Sequence, residues 1–596
     1  ASGTLAVTAG GTVTQSSQAA AKNLAITGTT TITGTDITLD NTANNFQGAV
    51  GVTTIGSDVV LVDAGAIVLG ESTVTGTYDV TAGGAVTQLS GTALAITGVT
   101  TIDAGTNAVT LANASNNFQA AVGITGAAVS VTDINDLVLG DTTTTGNYSV
   151  TAGGGIADSG VLTIGTTAST KTASFTAGDG ETIILDQVSV TSLPVHDFSG
   201  ALTFASSGNL AGLTVYAVDA IDLAAFTLVA NGNALPGNLS LQSGTVTQSG
   251  AWVVAGTTTI SASGSDVTLS NTSNNFTGAV SITGHAVTLV DANAIDLGAS
   301  TVTGAYAVTA TAGGNITDSG VLNITGASTF TVAGGQSILL DQSSTFTSAV
   351  TFASGGTLAG VSITDTTDFD LKALTLSGNL VVASGGSITQ SGALSITGTS
   401  SFTTSTTNET ITLSDPTLTN SFTGAFTLSS TGSNAHVTID NGTTAIVITS
   451  ASVGGNLTLT SGAAAGITDS GSIDSGIVTV GGNLVAVTDD NNGVINMVTL
   501  AVDGSISLTT NGTGNATIVN DAGLDFATLT IGGDLNATAT TENISDSGTL
   551  TVTGATNIYL GINPIFAASG ATSATDINGL TITLDTANNL FTEGIT

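Results

Sequence analysis

Cysteine is absent from all 596 residues, so neither a disulfide nor a thiolate metal site exists in this chain. Arginine is absent too. Three lysines stand against 41 acidic residues, for a formal net charge of −38. Such a chain cannot neutralise phosphates, which excludes nucleic acid as a partner and disfavours anionic membrane surfaces. The acidity suits solubility, repulsion between neighbours, or divalent cations. Charged residues reach only 7%, against about 25% in ordinary globular proteins. Long-chain helix formers are scarce, and a helical protein of this size would need many on its solvent faces. Mean hydropathy is +0.44, yet no run of about 18 apolar residues offers a membrane-spanning segment. No signal-peptide pattern opens the sequence, so a mature chain or a fragment is expected.

What remains is Gly, Ala, Ser, Thr, Val and Asn. Thr and Val suit a pleated surface, and apolar residues alternate with Thr and Gly, as at Ile26, Ile32 and Ile37. This reads as all-β. Self-similarity then specifies the architecture. A unit of Gln or Asp, Ser and Gly followed by an alternating apolar run begins near positions 15, 88, 158, 248, 318, 390, 469 and 546. These eight modules are separated by 70–90 residues. Modules that open with Gln carry an Asn-Asn-Phe corner about 30 residues on: Asn44-Asn45-Phe46, Asn116-Asn117-Phe118 and Asn274-Asn275-Phe276. A variant stands at Asn420-Ser421-Phe422. Modules that open with Asp often carry Leu-Asp-Gln instead, as at Leu185-Asp186-Gln187 and Leu340-Asp341-Gln342.

Short alternating strands separated by Gly, Asn and Asp turns, with no helical spacing for a crossover, predict an elongated parallel β-helix. About 24 residues per coil and roughly 25 coils would form one continuous solenoid over 1–596, on the order of 120 Å long at the strand spacing of a sheet. Phe46, Phe118, Phe276, Phe422 and Phe591 are expected to plug the core near a bend. Asn45, Asn117 and Asn275 are the candidates for stacked amide ladders at those corners. Trp252 occupies the place of Leu94 and Leu394 and is expected in the core.

Catalytic chemistry finds few candidates. A β-helical lyase needs a base and a cation, whereas Lys22, Lys171 and Lys372 are widely scattered. A hydrolase needs paired carboxylates, and Asp489-Asp490 is the densest acidic spot. The same pair is the candidate Ca²⁺ site, with a solvated turn as its plain alternative. His196, His285 and His436 show no metal spacing and are expected at turns or on the surface. Recurrent Asp-Ser-Gly is expected as a turn in which Asp bonds its own backbone two residues on. Thr-x-Thr runs such as Thr29–Thr33 read as exterior strand positions, and scattered Asn-x-Ser/Thr sequons such as Asn238 permit glycosylation without indicating it.

The alternating strands, Asn/Gly turns, near-absence of Lys and Arg and module duplication resemble filamentous haemagglutinin-like adhesins and related bacterial β-strand-repeat surface exoproteins. That resemblance spans the chain, although the N-terminal secretion domain of that family is not visible here. It implies a secreted, extracellular or cell-surface fibre that adheres or builds matrix, and it transfers no catalytic residue. The expectation is therefore a non-catalytic structural protein without a cofactor. A glycan-binding adhesin module with exposed aromatics on one face is second, and a polysaccharide-degrading enzyme third. The last module ends partway, which predicts end-to-end self-association or a longer parent chain.

Overall fold

A computed structural model describes residues 3–15, 22–165, 171–188, 195–231, 236–471, 477–489, 492–561, 582–584 and 589–592. Among them there is no α-helix. All pairing between strands is parallel, and the chain winds as a β-solenoid of about 24 turns, about 22 residues apart. The spacing of about 22 residues is slightly shorter than the expected coil of about 24. Two compact units divide the chain, 1–305 and 306–596.

In the first unit most strands pair with the third one after them, so a turn typically carries three short strands; where two merge into one longer strand, as in Leu137–Thr144, the pairing is with the second. The segments Val59–Asp63, Tyr78–Ala82, Thr100–Asp103 and Val122–Gly126 lie in register, one per turn. Their alternation puts Leu61, Val80, Ile102 and Ile124 in one inward column, each at most 1% exposed. The second unit repeats the logic with Ile363, Val382, Phe402 and Leu428. A fully buried side chain of this size contributes about 1.5–3 kcal/mol. Stacked columns of them supply the core that a disulfide-free, weakly charged chain requires.

Turns must also superimpose. Gly98 lies directly on Gly76 and donates its N–H to the Gly76 carbonyl at 3.1 Å. A Cβ at Gly98 would collide with that carbonyl, which is why the Ile-Thr-Gly corner recurs. The stack is not perfectly regular. Register shifts between Val122 and Ile124, where the Thr142 hydroxyl accepts the Ile124 N–H (3.3 Å) and donates to the Gly140 carbonyl (3.1 Å). Ser72 and Ser300 do the same at equivalent bulges.

Candidate functional site

The most repeated polar arrangement is a clamp between successive turns. Gln88 ends the strand Val86–Gln88, and Asn116 precedes the strand Asn117–Phe118 of the following turn. The two side-chain amides pair reciprocally: Gln88 Nε2 donates to Asn116 Oδ1 (2.6 Å) and Asn116 Nδ2 to Gln88 Oε1 (3.1 Å). Asn116 is fully buried. It also accepts the Leu94 N–H at 3.0 Å and donates to the carbonyls of Leu111 and Thr132. Two residues on, the Phe118 N–H donates to Asp133 Oδ2 at 2.7 Å. The same set forms at Gln15–Asn44–Asp63, Gln248–Asn274–Asp291 and Gln390–Asn420–Asn441. Burial, first, and backbone hydrogen bonds opposing it set the carboxyls of Asp133 and Asp291, with a net shift above the usual carboxylate range.

The Asn-Asn-Phe motif thus divides its labour differently from expectation. The first Asn, at 44, 116 and 274, is the buried clamp residue. Asn45, Asn117 and Asn275 sit at the surface or half-buried, outside the clamp. Two of them do touch another amide: Asn117 Oδ1 accepts from Asn135 Nδ2 at 3.4 Å and Asn275 Oδ1 from Asn293 at 3.3 Å. The side chains of Phe46, Phe118, Phe276 and Phe422 are buried beneath the corners, and Phe591 is half-buried. Trp252 is buried against Phe226; its backbone N–H donates to Asn274 Oδ1 (2.9 Å) and its indole N–H to the Leu223 carbonyl (3.4 Å).

In modules that begin with Asp the clamp is rebuilt from other groups. Asp158 does not cap its own turn. Its Oδ1 accepts the N–H of Asp186, 28 residues on. Its Oδ2 lies 3.2 Å from His196 Nε2, off the hydrogen-bonding direction, and both side chains are fully buried. His196 Nδ1 accepts the Leu162 N–H at 3.1 Å, the role Asn116 plays toward Leu94. Nδ1 is therefore unprotonated, and the proton sits on Nε2, facing Asp158. His196 is thus a buried core residue, contrary to the surface position expected, because stacking places it where an Asn amide otherwise stands. Ser344 accepts the Leu322 N–H while Asp318 takes that of Asp341. Asn589 bonds Leu550 and Asp546 in the same way. Burial pushes the Asp318 carboxyl up to about 6, against the opposing N–H bonds.

Few groups that chemistry could use face outward. No described Phe, Tyr or Trp side chain is exposed. The Asp489 carbonyl accepts from Asn511 Nδ2 at a turn, and Asp490 lies outside the described residues. Among the described residues no three His, Asp or Glu side chains are grouped to hold a metal ion. His285 pairs with Asp266 at the surface, and that hydrogen bond holds the Asp266 carboxyl below its usual range. Among the described residues, one grouping that resembles a nucleophile and base is Ser391, Lys372 and Asp370. Lys372 Nζ donates to Asp370 (2.6 Å) and Ser391 Oγ (3.0 Å), and Ser391 Oγ donates to Asp370 (2.7 Å). With its ammonium ion-paired and the serine proton directed at the carboxylate, this triangle holds no free base. No described helix is long and apolar enough to cross a membrane.

No curated protein matches this chain, and no solved structure does. A family described as repeats of unknown function (DUF5649) matches residues 1–53, 56–125, 126–205, 207–283, 284–353, 358–429 and 513–596. Between the last two spans the strands Val437–Asp440, Leu457–Ser461 and Leu484–Thr488 continue the same parallel stacking. The matched spans cover most of the sequence and follow the module period of the clamps, and the chain belongs to this family of repeats.

Proposed function

We propose that this chain is a non-catalytic structural protein, serving outside the cell as the solenoid of a surface or matrix fibre. The observation that carries the reading is where its polar chemistry goes. Gln, Asn, Asp and His side chains that could serve a reaction are instead turned inward or across turns, tying one coil to the next through repeated clamps. Stability of this kind is local and additive along a stack of repeats, which suits a load-bearing or spacing element. The extracellular assignment rests on the resemblance to β-strand-repeat exoproteins and on a net charge suited to a solvated exterior surface. Self-association or a longer parent chain would extend the solenoid into a filament. The glycan-binding alternative loses its stacking platform, since no described Phe, Tyr or Trp is exposed. Electron microscopy of surface material from the producing cells, labelled with an antibody to this chain, tests the proposal. Label along thin extracellular fibres is the expected result, and label confined to the cell interior overturns it.

A further inference from the structure

We propose that the pair Asn492–Gly493 is a self-modification site, where the asparagine closes on the next backbone nitrogen and reopens as isoaspartate or aspartate. The fold itself imposes this dipeptide. The corner turns through a left-handed residue, Asn492 at φ 57°, a conformation that asparagine tolerates better than most side chains. The next position calls for glycine, because a Cβ there would collide with the Ala463 carbonyl and the Thr488 side chain. Glycine in turn leaves the attacking nitrogen unshielded, since it carries no side chain beside it.

Three Asn-Gly pairs lie wholly within the described residues, and their surroundings separate them. Asn441 is fully buried: its Oδ1 accepts the Phe422 N–H (2.7 Å), and its Nδ2 donates to the carbonyls of Phe422 (3.0 Å) and Ala445 (2.8 Å). The nitrogen that would attack it is engaged as well, because the Gly442 N–H donates to Asp440 Oδ1 at 2.9 Å. Asn511 is exposed, but its Nδ2 donates to the carbonyls of Asp489 (2.8 Å) and Thr488 (3.4 Å). Asn492 is exposed, and its Oδ1 accepts the Thr513 N–H at 2.8 Å. Neither its Nδ2, which must leave, nor the Gly493 N–H has a hydrogen-bond partner among the described residues. Ring closure requires side chain and backbone to rotate together, so every bond that must break slows it. At Asn492 the rotation also relieves left-handed strain.

The reaction needs only water and hydroxide. Hydroxide takes the Gly493 amide proton, and the nitrogen attacks Cγ of Asn492. The new C–N bond displaces Nδ2, which leaves as ammonia after taking a proton from water. Water then opens the succinimide at either carbonyl, and nothing is oxidised or reduced. Opening at the main-chain carbonyl routes the backbone through Cβ and gives isoaspartate; opening at the other gives aspartate. Either product adds one carboxylate to a chain of net charge −38. The lengthened backbone of isoaspartate disturbs the stack, because the next corner lies directly against this one: a Cβ on Gly512 would collide with Asn492 Oδ1. The modification therefore records the age of the protein at one corner and loosens the coil there.

The test incubates the purified full chain, folded, in mildly alkaline buffer and follows its proteolytic peptides by mass spectrometry. Exchange of ammonia for water raises the peptide mass, and electron-transfer fragmentation separates isoaspartate from aspartate. Each rate is divided by that of a synthetic peptide spanning the same pair, which removes the effect of sequence. On this scale Asn492 is expected to convert at least about tenfold faster than Asn441 and Asn511, the gap that one or two extra hydrogen bonds in the barrier produce. Conversion at Asn492 no faster than at Asn441 or Asn511 overturns the inference. So does an Asn492 that stays intact in the folded chain while its synthetic peptide reacts to completion.

Discussion

Replacing Asn116 with leucine removes the centre of one clamp while keeping its branched heavy-atom skeleton. Five hydrogen bonds converge on this side chain, two of them shared with Gln88. The loss is not five times one bond. Gln88 is half-buried and turns toward water, and the Leu111 and Thr132 carbonyls keep a second lone pair for other partners. The Leu94 N–H is different, because Leu94 is fully buried and its N–H is held by Asn116 Oδ1. An orphaned buried group costs about 1–3 kcal/mol, so the whole change comes to about 3 kcal/mol after the partial losses are added. Gln88→Ala leaves Asn116 bound to backbone and costs about 1 kcal/mol. A stacked repeat opens locally, so hydrogen–deuterium exchange is the proper assay. At about 1.4 kcal/mol per tenfold, peptides covering 86–134 exchange about a hundredfold faster in Asn116→Leu and about fivefold faster in Gln88→Ala, with peptides beyond 390 unchanged. Equal effects of the two substitutions, or less than threefold acceleration by Asn116→Leu, would refute the clamp as a structural determinant.

Thr100 carries a fully buried hydroxyl without a partner, stacked between Tyr78 and Val122. Thr100→Val is expected to stabilise its turn by about 1 kcal/mol, read as slower exchange there; destabilisation would place an unseen partner on that hydroxyl. Asp318 has its folded-state pKa raised to about 6 by burial, so its contribution is fully present below pH 4 and lost as pH rises through 6. Asp318→Asn should therefore flatten the difference in melting temperature between pH 4 and pH 7 relative to the unaltered protein, and an unchanged difference contradicts this. The double change Asp158→Gln/His196→Asn installs the amide clamp of the other modules. It should melt close to the unaltered protein, whereas His196→Ala, which orphans the Leu162 N–H, should lose about 2–3 kcal/mol by urea titration. Phe118→Ala opens a cavity under the corner and costs about 3–4 kcal/mol, measured by exchange of its own turn.

The all-β solenoid was legible because period-two alternation of β-branched residues, a missing helical period and a repeated Gln/Asp-Ser-Gly unit all point to one architecture. The corner phenylalanines were recognisable since a lone aromatic after two asparagines recurs at a fixed place. The clamp was only half legible. The sequence displays Gln88 and Asn116 as recurring residues but contains no sign that they touch, so the second asparagine of the pair was as plausible a stacking residue as the first. His196 carried no signal at all, because its equivalence to Asn116 exists only in the shared acceptance of a leucine N–H.

Alternation, turn chemistry and repeat spacing are local properties, and they suffice to dictate parallel coils: inward columns of Leu61, Val80 and Ile102 leave water only if each turn lies on the last. Which polar groups meet is a matter of contact at about 3 Å between residues 28 apart in the chain. That contact depends on strand direction, bulges and the exact superposition of corners. Folding therefore chose which asparagine is buried and gave Asp158 a histidine partner, since hydrogen bonds are decided by sub-ångström placement that residue order does not encode.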